Sequence, residues 1–377
     1  MQHRPTGLAL DREFSVRRQT RSIAVGTVTV GGTAPVSVQS MTNTDTRDAD
    51  TTLEQIRGLA ARGCQIVRVA VPDRTACDAL RSIVSQAPVP VVADIHFDYR
   101  LALGALQAGA HCIRINPGNL RPADRLRDIA MEACRLGVPI RVGVNAGSLE
   151  EEILQRDGGV TAQGLADSAL AHVGRLEKFG CDALKVSIKA SSVPLTVEAC
   201  RRFASKTDIP MHLGVTEAGS LSCGTVKSAA GIGALLLDGI GDTIRVSLTA
   251  PPEEEVAVGI RILEAVGLRQ AHPEIVSCPT CGRTEIDLVG LLNAVERMID
   301  RMRAEGYAFD LDKVAIMGCV VNGPGEARDA DVGIAGGRGK GVLFKHGHVV
   351  RTLPEEELLE ALLAQIRARA YRPVRSG

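Results

Sequence analysis

From about residue 35 to residue 250 the chain repeats one hydrophobic pattern. A short β-branched run is followed by polar residues, then by a stretch rich in Ala and Leu, then by Gly or another small residue. Eight such runs predict strands, at residues 35–39, 66–71, 89–95, 112–116, 139–144, 183–188, 209–215 and 243–248. Stretches such as 53–61, 99–108 and 165–179 predict helices between them. Strand alternating with helix gives a parallel sheet, and eight units in this length predict an α/β fold, a closed (β/α)8 TIM barrel. A doubly wound open sheet is the alternative, but no glycine fingerprint of the dinucleotide-binding type follows an early strand.

Near residue 265 this rhythm stops, and AVGLRQAHPEIVS reads as a linker. Beyond it the pattern predicts a long helix over 288–305, strands over 313–317 and 331–335, a hairpin around 345–348 and a final amphipathic helix over 354–370. The expected organisation is an N-terminal tail at 1–20, a TIM barrel at 21–265 and a smaller α+β domain at 266–377.

Several strand runs carry a cation where an apolar residue is expected. IVRVAV, CIRINPG, PIRVGVN and TIRVSLT supply Arg68, Arg114, Arg141 and Arg245, while ALKVSIKAS supplies Lys185 and Lys189. Side chains alternate across a strand, and in a barrel the outer face must be apolar to meet the helices. These cations are therefore expected to point inward. Asp94 and Glu217, also near strand ends, can offset part of the charge, and a self-neutralising ion-pair network is one reading. The excess of positive charge favours a polyanion site, and Arg suits bidentate contact with phosphate oxygens, so a diphosphate is expected. Asp94, His96, Asn145, Ser148, Glu217 and Ser247 gather where strands end, the face that carries the reacting groups in this fold.

Composition narrows the partners. Net charge is zero over 377 residues, aromatics are 2% and tryptophan is absent. There is no global field for nucleic acid or an anionic membrane and few stacking platforms for single strands. No uninterrupted apolar run reaches transmembrane length, and the Arg-rich N-terminus lacks an apolar core. Ten scattered cysteines, the seven outside the tail without disulfide-like spacing, suit a reducing compartment, so a soluble cytoplasmic protein is expected. Cys64, Cys112 and Cys181 sit at the edges of apolar runs and are read as packing thiols.

Three cysteines differ. SCPTCGR holds Cys278 and Cys281, and MGCVVNGPGE holds Cys319 and, seven residues on, Glu326. Structural zinc wants four tight Cys or His ligands, and a fourth thiol is missing. Three thiolates on an iron–sulfur cube leave one iron different from the rest. From the residues alone, a cluster, a zinc knuckle and metal-free thiols all remain open.

SVQSMTNTDT, DIHFD, IRINPGN, RVGVNAGS, KVSIKAS, LGVTEAG, GIGDTIRVSL, SCPTCGRT and MGCVVNGPGE together resemble the bacterial 4-hydroxy-3-methylbut-2-enyl diphosphate synthase family, from about Arg21 to the C-terminus. The resemblance is to the short two-domain form. It implies a [4Fe–4S] cluster on Cys278, Cys281, Cys319 and Glu326, and reduction of 2-C-methyl-D-erythritol 2,4-cyclodiphosphate with electrons from flavodoxin or ferredoxin. By the same resemblance Arg68, Arg114, Arg141 and Lys189 hold the diphosphate. Asp94, His96, Asn145, Arg245 and Ser247 shape the rest of the pocket, and Asn322 hydrogen-bonds the substrate from the cluster side. In the mechanism built on it, Glu326 yields its place on the unique iron to a substrate oxygen, and Glu217 transfers a proton to the departing hydroxyl. A head-to-tail homodimer, with one subunit's cluster domain over its partner's barrel, is also implied.

Overall fold

A computed structural model of the chain describes residues 16–120, 125–269, 273–319, 325 and 327–372. Each of the eight expected runs overlaps a strand: β3 Ser37–Met41, β4 Ile66–Ala70, β5 Val91–Asp94, β6 Cys112–Ile115, β7 Ile140–Asn145, β8 Leu184–Lys189, β9 His212–Leu213 and β10 Thr243–Ile244. All pairings in this sheet are parallel, β3 through β8 in sequence, with β10 between β3 and β9. A bridge from Val186 to Met211 joins β8 to the residue before β9 and closes the ring. The last two strands are shorter than predicted, yet parallel bonding continues past them, with the Arg245 N–H donating to the Leu213 carbonyl at 2.9 Å.

Helices cross between the strands: α1 Ala49–Ala61, α2 Arg74–Gln86, α3 Tyr99–Gln107, α4 Leu126–Leu136, α5 Glu151–Asp157, α6 Ala162–Lys178, α7 Val193–Ala204, α8 Leu221–Leu237 and α9 Pro252–Ala265. The polar residues after the strand runs are in several cases helix caps. Asp48, Asp73, Asp98, Thr161 and Ser192 each accept a backbone N–H from the first turn of α1, α2, α3, α6 and α7. Outward strand residues such as Val67, Val69, Ile113, Val142, Val186 and Ile188 join the buried helix faces in one apolar core. The alternate positions are left for the barrel interior.

A hairpin that the hydrophobic pattern does not single out, β1 Ile23–Val25 and β2 Val28–Val30, closes the barrel floor. Ile23, Val25 and Val30 pack on Ile66, Val92 and Cys112, which gives Cys112 the packing role read for it. Upstream, Arg17 pairs with buried Asp242 at 2.9 Å and Thr20 donates to the same carboxylate, fastening the incoming chain to the floor.

The chain divides into two compact units, 1–269 and 270–377. In the second, a five-stranded sheet runs in the order β11 Glu274–Ser277, β13 Lys313–Met317, β14 Val332–Gly337, β15 Lys340–Lys345, β16 His348–Pro354. A short pair, β12 Ala308–Phe309 with β17 Ala370–Tyr371, flanks it. The helices α10 Leu288–Ala304 and α11 Glu355–Arg367 bury Val295, Ile299, Leu358, Leu362 and Ile366 against Val314, Ile316, Val332 and Ile334. The linker expectation needs correcting at its end: Glu274–Ser277 is a strand, parallel to β13. It escapes the pattern because it is an edge strand of four residues, only half buried, without a clean alternation.

Candidate functional site

The inward positions of the strands meet at the C-terminal end of the barrel in a cleft of about 200 Å³. Arg68 from β4, Asp94 and His96 from β5 and its loop, Arg114 from β6, and Arg141 and Asn145 from β7 line one side. Lys189 from β8, with Arg245 and Ser247 just past β10, lines the rest, so every residue expected to hold the diphosphate or to shape the pocket beside it faces this cleft. Two further lining residues were missed, Ser187 and Thr216. Ser187 lies two residues from both Lys185 and Lys189 and so shares their face, a signal the pattern contained. Ser148 is not among the lining residues; its hydroxyl accepts from the Asn116 side chain at 2.8 Å.

Glycine makes room for the long cations. A Cβ at Gly143, the inward position between Arg141 and Asn145, would stand 2.6 Å from Arg114 Nε. One at Gly214 would stand 2.6 Å from Lys189 Nζ. Each cation lies across a gap left in the neighbouring strand's inward row.

Charge in the cleft is lopsided. Asp94 accepts from Arg114 Nη1 at 3.2 Å, lies 3.9 Å from Arg68 Nη1 and 3.4 Å from His96 Nε2. Burial pushes its carboxyl up, but Arg68, the His96 hydrogen bond, Arg114 and Arg141 together hold it well below the usual carboxylate range. Arg68 turns Nε and Nη2 toward the soft Sδ of Met41, at 3.1 and 2.9 Å, a weak acceptor for a guanidinium. Burial, then the neighbouring cations, lowers Lys189 well below its ordinary value. Arg141, with burial first and Arg114 next, is pushed down to about 10, while Asp94 opposes the shift.

The second counter-charge is Glu255 rather than Glu217. Glu255, in the first turn of α9, is buried, lies 3.5 Å from Arg245 Nη2 and accepts the Leu248 N–H at 2.9 Å. Its sequence context, PPEEE, reads as a solvated helix start, so nothing local marks it. Glu217 is exposed, is not among the lining residues, and stands at φ +52° directly after Thr216. Phe97, one residue past His96, also has positive φ, +64°, and is exposed.

In the second unit, β11 and β13 are adjacent and parallel, with Ser277 in register with Ile316. Their C-terminal ends therefore deliver Cys278 and Cys319 to the same edge of the sheet. Gly318 N–H donates to Cys278 Sγ at 3.2 Å, and Glu285 N–H to the Gly318 carbonyl at 3.2 Å, stapling the two loops together. Cys281 is exposed, and hydrogen bonds from Arg283 lower its thiol, an aid to a metal-binding thiolate. Among the described residues no group of three or more His, Cys, Asp or Glu is drawn together tightly enough to hold a metal ion. Glu326 and Asn322 lie outside the described residues. Three soft donors on two stapled loops fit a thiol-ligated centre in their chemistry.

A parallel barrel with a cationic mouth, followed by a sheet unit that offers thiols from two strand ends, defines a two-domain barrel protein. Residues 20–260 match the GcpE TIM-barrel domain and residues 274–368 the GcpE protein C-terminal domain. The chain belongs to the GcpE family. It is 55% identical over 351 residues to a protein of Geobacter sulfurreducens named 4-hydroxy-3-methylbut-2-en-1-yl diphosphate synthase (flavodoxin), covering 93% of this chain and 98% of that one. A protein of the same name from Ruminiclostridium cellulolyticum is 51% identical, with 93% of this chain and 98% of the relative covered. Among solved structures, Yersinia pestis dihydropteroate synthase matches with a TM-score of 0.47 and 13% identity, over 65% of this chain and 97% of that one.

Proposed function

We propose that this chain catalyses the two-electron reductive ring opening and dehydration of 2-C-methyl-D-erythritol 2,4-cyclodiphosphate to 4-hydroxy-3-methylbut-2-enyl diphosphate. The observation that carries this reading is the cleft itself, where Arg68, Arg114, Arg141, Lys189 and Arg245 face a shared space, with Asp94 and Glu255 in partial compensation among the described residues. A compact dianion supplies the charge that this space lacks. Arg68, Arg114, Arg141 and Lys189 hold the diphosphate; Asp94, His96, Asn145, Arg245 and Ser247 orient the rest of the substrate.

A [4Fe–4S] cluster bound by Cys278, Cys281, Cys319 and Glu326 would supply single electrons and a Lewis-acidic iron. Glu217 delivers the proton to the departing hydroxyl, and Asn322 hydrogen-bonds the substrate. The electron donor is flavodoxin, the donor in the relatives' names, with ferredoxin as an alternative carrier of the same chemistry. The active form is a head-to-tail homodimer, and the setting is cytoplasmic; no helix among the described residues is long and apolar enough to cross a membrane.

The test is anaerobic purification followed by turnover of the cyclodiphosphate with a chemical reductant. Formation of the linear allylic diphosphate by protein that contains iron and sulfide is the expected result. Zinc without iron or sulfide, in colourless protein prepared without oxygen, would refute the assignment.

A further inference from the structure

Beneath the cleft the barrel interior holds a second layer of polar side chains that the proposed reaction leaves unused. Lys185 on β8 is in register with Arg141 on β7, and His212 on β9 is in register with Thr243 on β10. Both Lys185 and His212 are 0% exposed. Lys185 Nζ and both ring nitrogens of His212 have no hydrogen-bond partner among the described residues, and neither do Thr243 Oγ1 or the Gln39 amide. Buried polar groups in such numbers are satisfied by ordered water, which bridges two to four of them at a time.

Cations are the main charges acting on His212, whereas Lys185 has Arg141 on one side of the balance and the Cys112 thiol on the other. Lys185 faces Arg141 and the Cys112 thiol. His212 faces Arg141, Lys189, Lys185 and Arg68. The neighbouring strands β3 and β10 add the uncharged Ser37, Gln39 and Thr243, with buried Asp242 directly before Thr243. The buried carboxylates are each engaged by an arginine: Asp94 by Arg114, Glu255 by Arg245, and Asp242, which also accepts the N–H of Met211 next to His212, by Arg17. A buried nitrogen base that lacks an acceptor favours its neutral form. Burial lowers Lys185, with Cys112 opposing and Arg141 adding to the shift. Burial followed by Arg141, Lys189, Lys185 and Arg68 lowers His212 well below its ordinary value.

We infer that Lys185 and His212 form a proton-accepting floor under the diphosphate site, taking up protons from solvent when the anion binds above them. The coupling is electrostatic. A diphosphate on Arg141 and Lys189 places added negative charge over this layer, so each floor base gains more from protonation with the site filled than with it empty. By linkage, affinity falls as pH rises through the range in which the floor of the filled site loses its protons. Ordered waters among Lys185, Gln39, His212 and Thr243 carry the protons and complete the hydrogen bonds. The inference rests on the cleft being the diphosphate site, as proposed above.

Calorimetric titration of the oxidised, cluster-loaded protein with the cyclodiphosphate, in buffers of different ionisation enthalpy, reads the two claims separately. Wild type is expected to bind with uptake of about half a proton or more per site near neutral pH, and with affinity falling severalfold per pH unit. Lys185→Met and His212→Gln should each bind, with folding checked by circular dichroism, while the summed uptake drops by more than half and the pH dependence flattens. Binding without dependence on buffer overturns the inference and leaves the site assignment standing. So does uptake unchanged in both variants, which would put the proton on Lys189. Absence of binding by wild type removes the site assignment, and the inference with it.

Discussion

Glu217, to which the proposed chemistry assigns the proton, departs from the ordinary backbone repertoire. A non-glycine residue at φ +52° costs on the order of 1 kcal/mol, and such strain is kept where surrounding structure enforces it. Glu217→Gln keeps the size and the backbone and removes the proton. The expected result is unchanged substrate binding with turnover lower by at least roughly 100-fold; turnover within a few-fold of wild type would end its role. A second residue-scale prediction concerns the wall behind Asn145. Glu150 accepts from Ser168 Oγ at 2.7 Å and pairs with buried His172 Nε2 at 2.5 Å. Burial pushes this carboxyl up, but the bonds to His172 and Ser168 outweigh it and hold it at about 2, against an ordinary value of 4.5. The folded value is depressed, so the stability it contributes is present above about 4.5 and is lost as pH falls from there through about 2. Urea midpoints measured between pH 5 and pH 3 should therefore fall less steeply in His172→Gln than in wild type, and equal slopes would show that the pair carries no such linkage.

At the scale of the element, the inward row of a strand decides what its neighbour can place in the cleft. Gly143 has no unusual φ, and an alanine there suits the backbone of β7. Its Cβ would nevertheless meet Arg114 Nε at 2.6 Å, and the guanidinium would have to leave its position beside Asp94. Gly143→Ala is expected to raise KM for the cyclodiphosphate by roughly 10-fold or more while the thermal midpoint moves little, since a displaced binding group can cost up to about 100-fold. A KM equal to wild type would show that Arg114 does not need this gap. The cation-bearing strands were legible because an arginine in an apolar run has only one side to face. Glu255 was not, because a carboxylate in the first turn of a helix is ordinary, and only the packing of α9 behind β10 buries this one. Strand β11 was missed for the reason given by its edge position, and with it the parallel pair that brings Cys278 beside Gly318.

For the molecule as a whole, the cationic cleft and the thiol loops lie in separate compact units. The proposed dimer brings one subunit's thiols to its partner's cleft, so catalytic function should be divisible between chains. An inactive Arg141→Ala barrel variant mixed with an inactive Cys319→Ala variant is expected to regain activity from the hybrid sites after subunits have exchanged. Proven exchange with no recovery would place both halves of the site in one chain.

The amino-acid sequence by itself determined the alternation of strand and helix, the inward direction of the cations and the three-thiol set, because periodicity and residue chemistry act over a few neighbouring positions. Only the tertiary structure decided which residues balance those charges, which glycines give them space and which bases lie unpartnered beneath them. Those outcomes depend on distances between strands far apart in the chain, and closure of the barrel is what sets them.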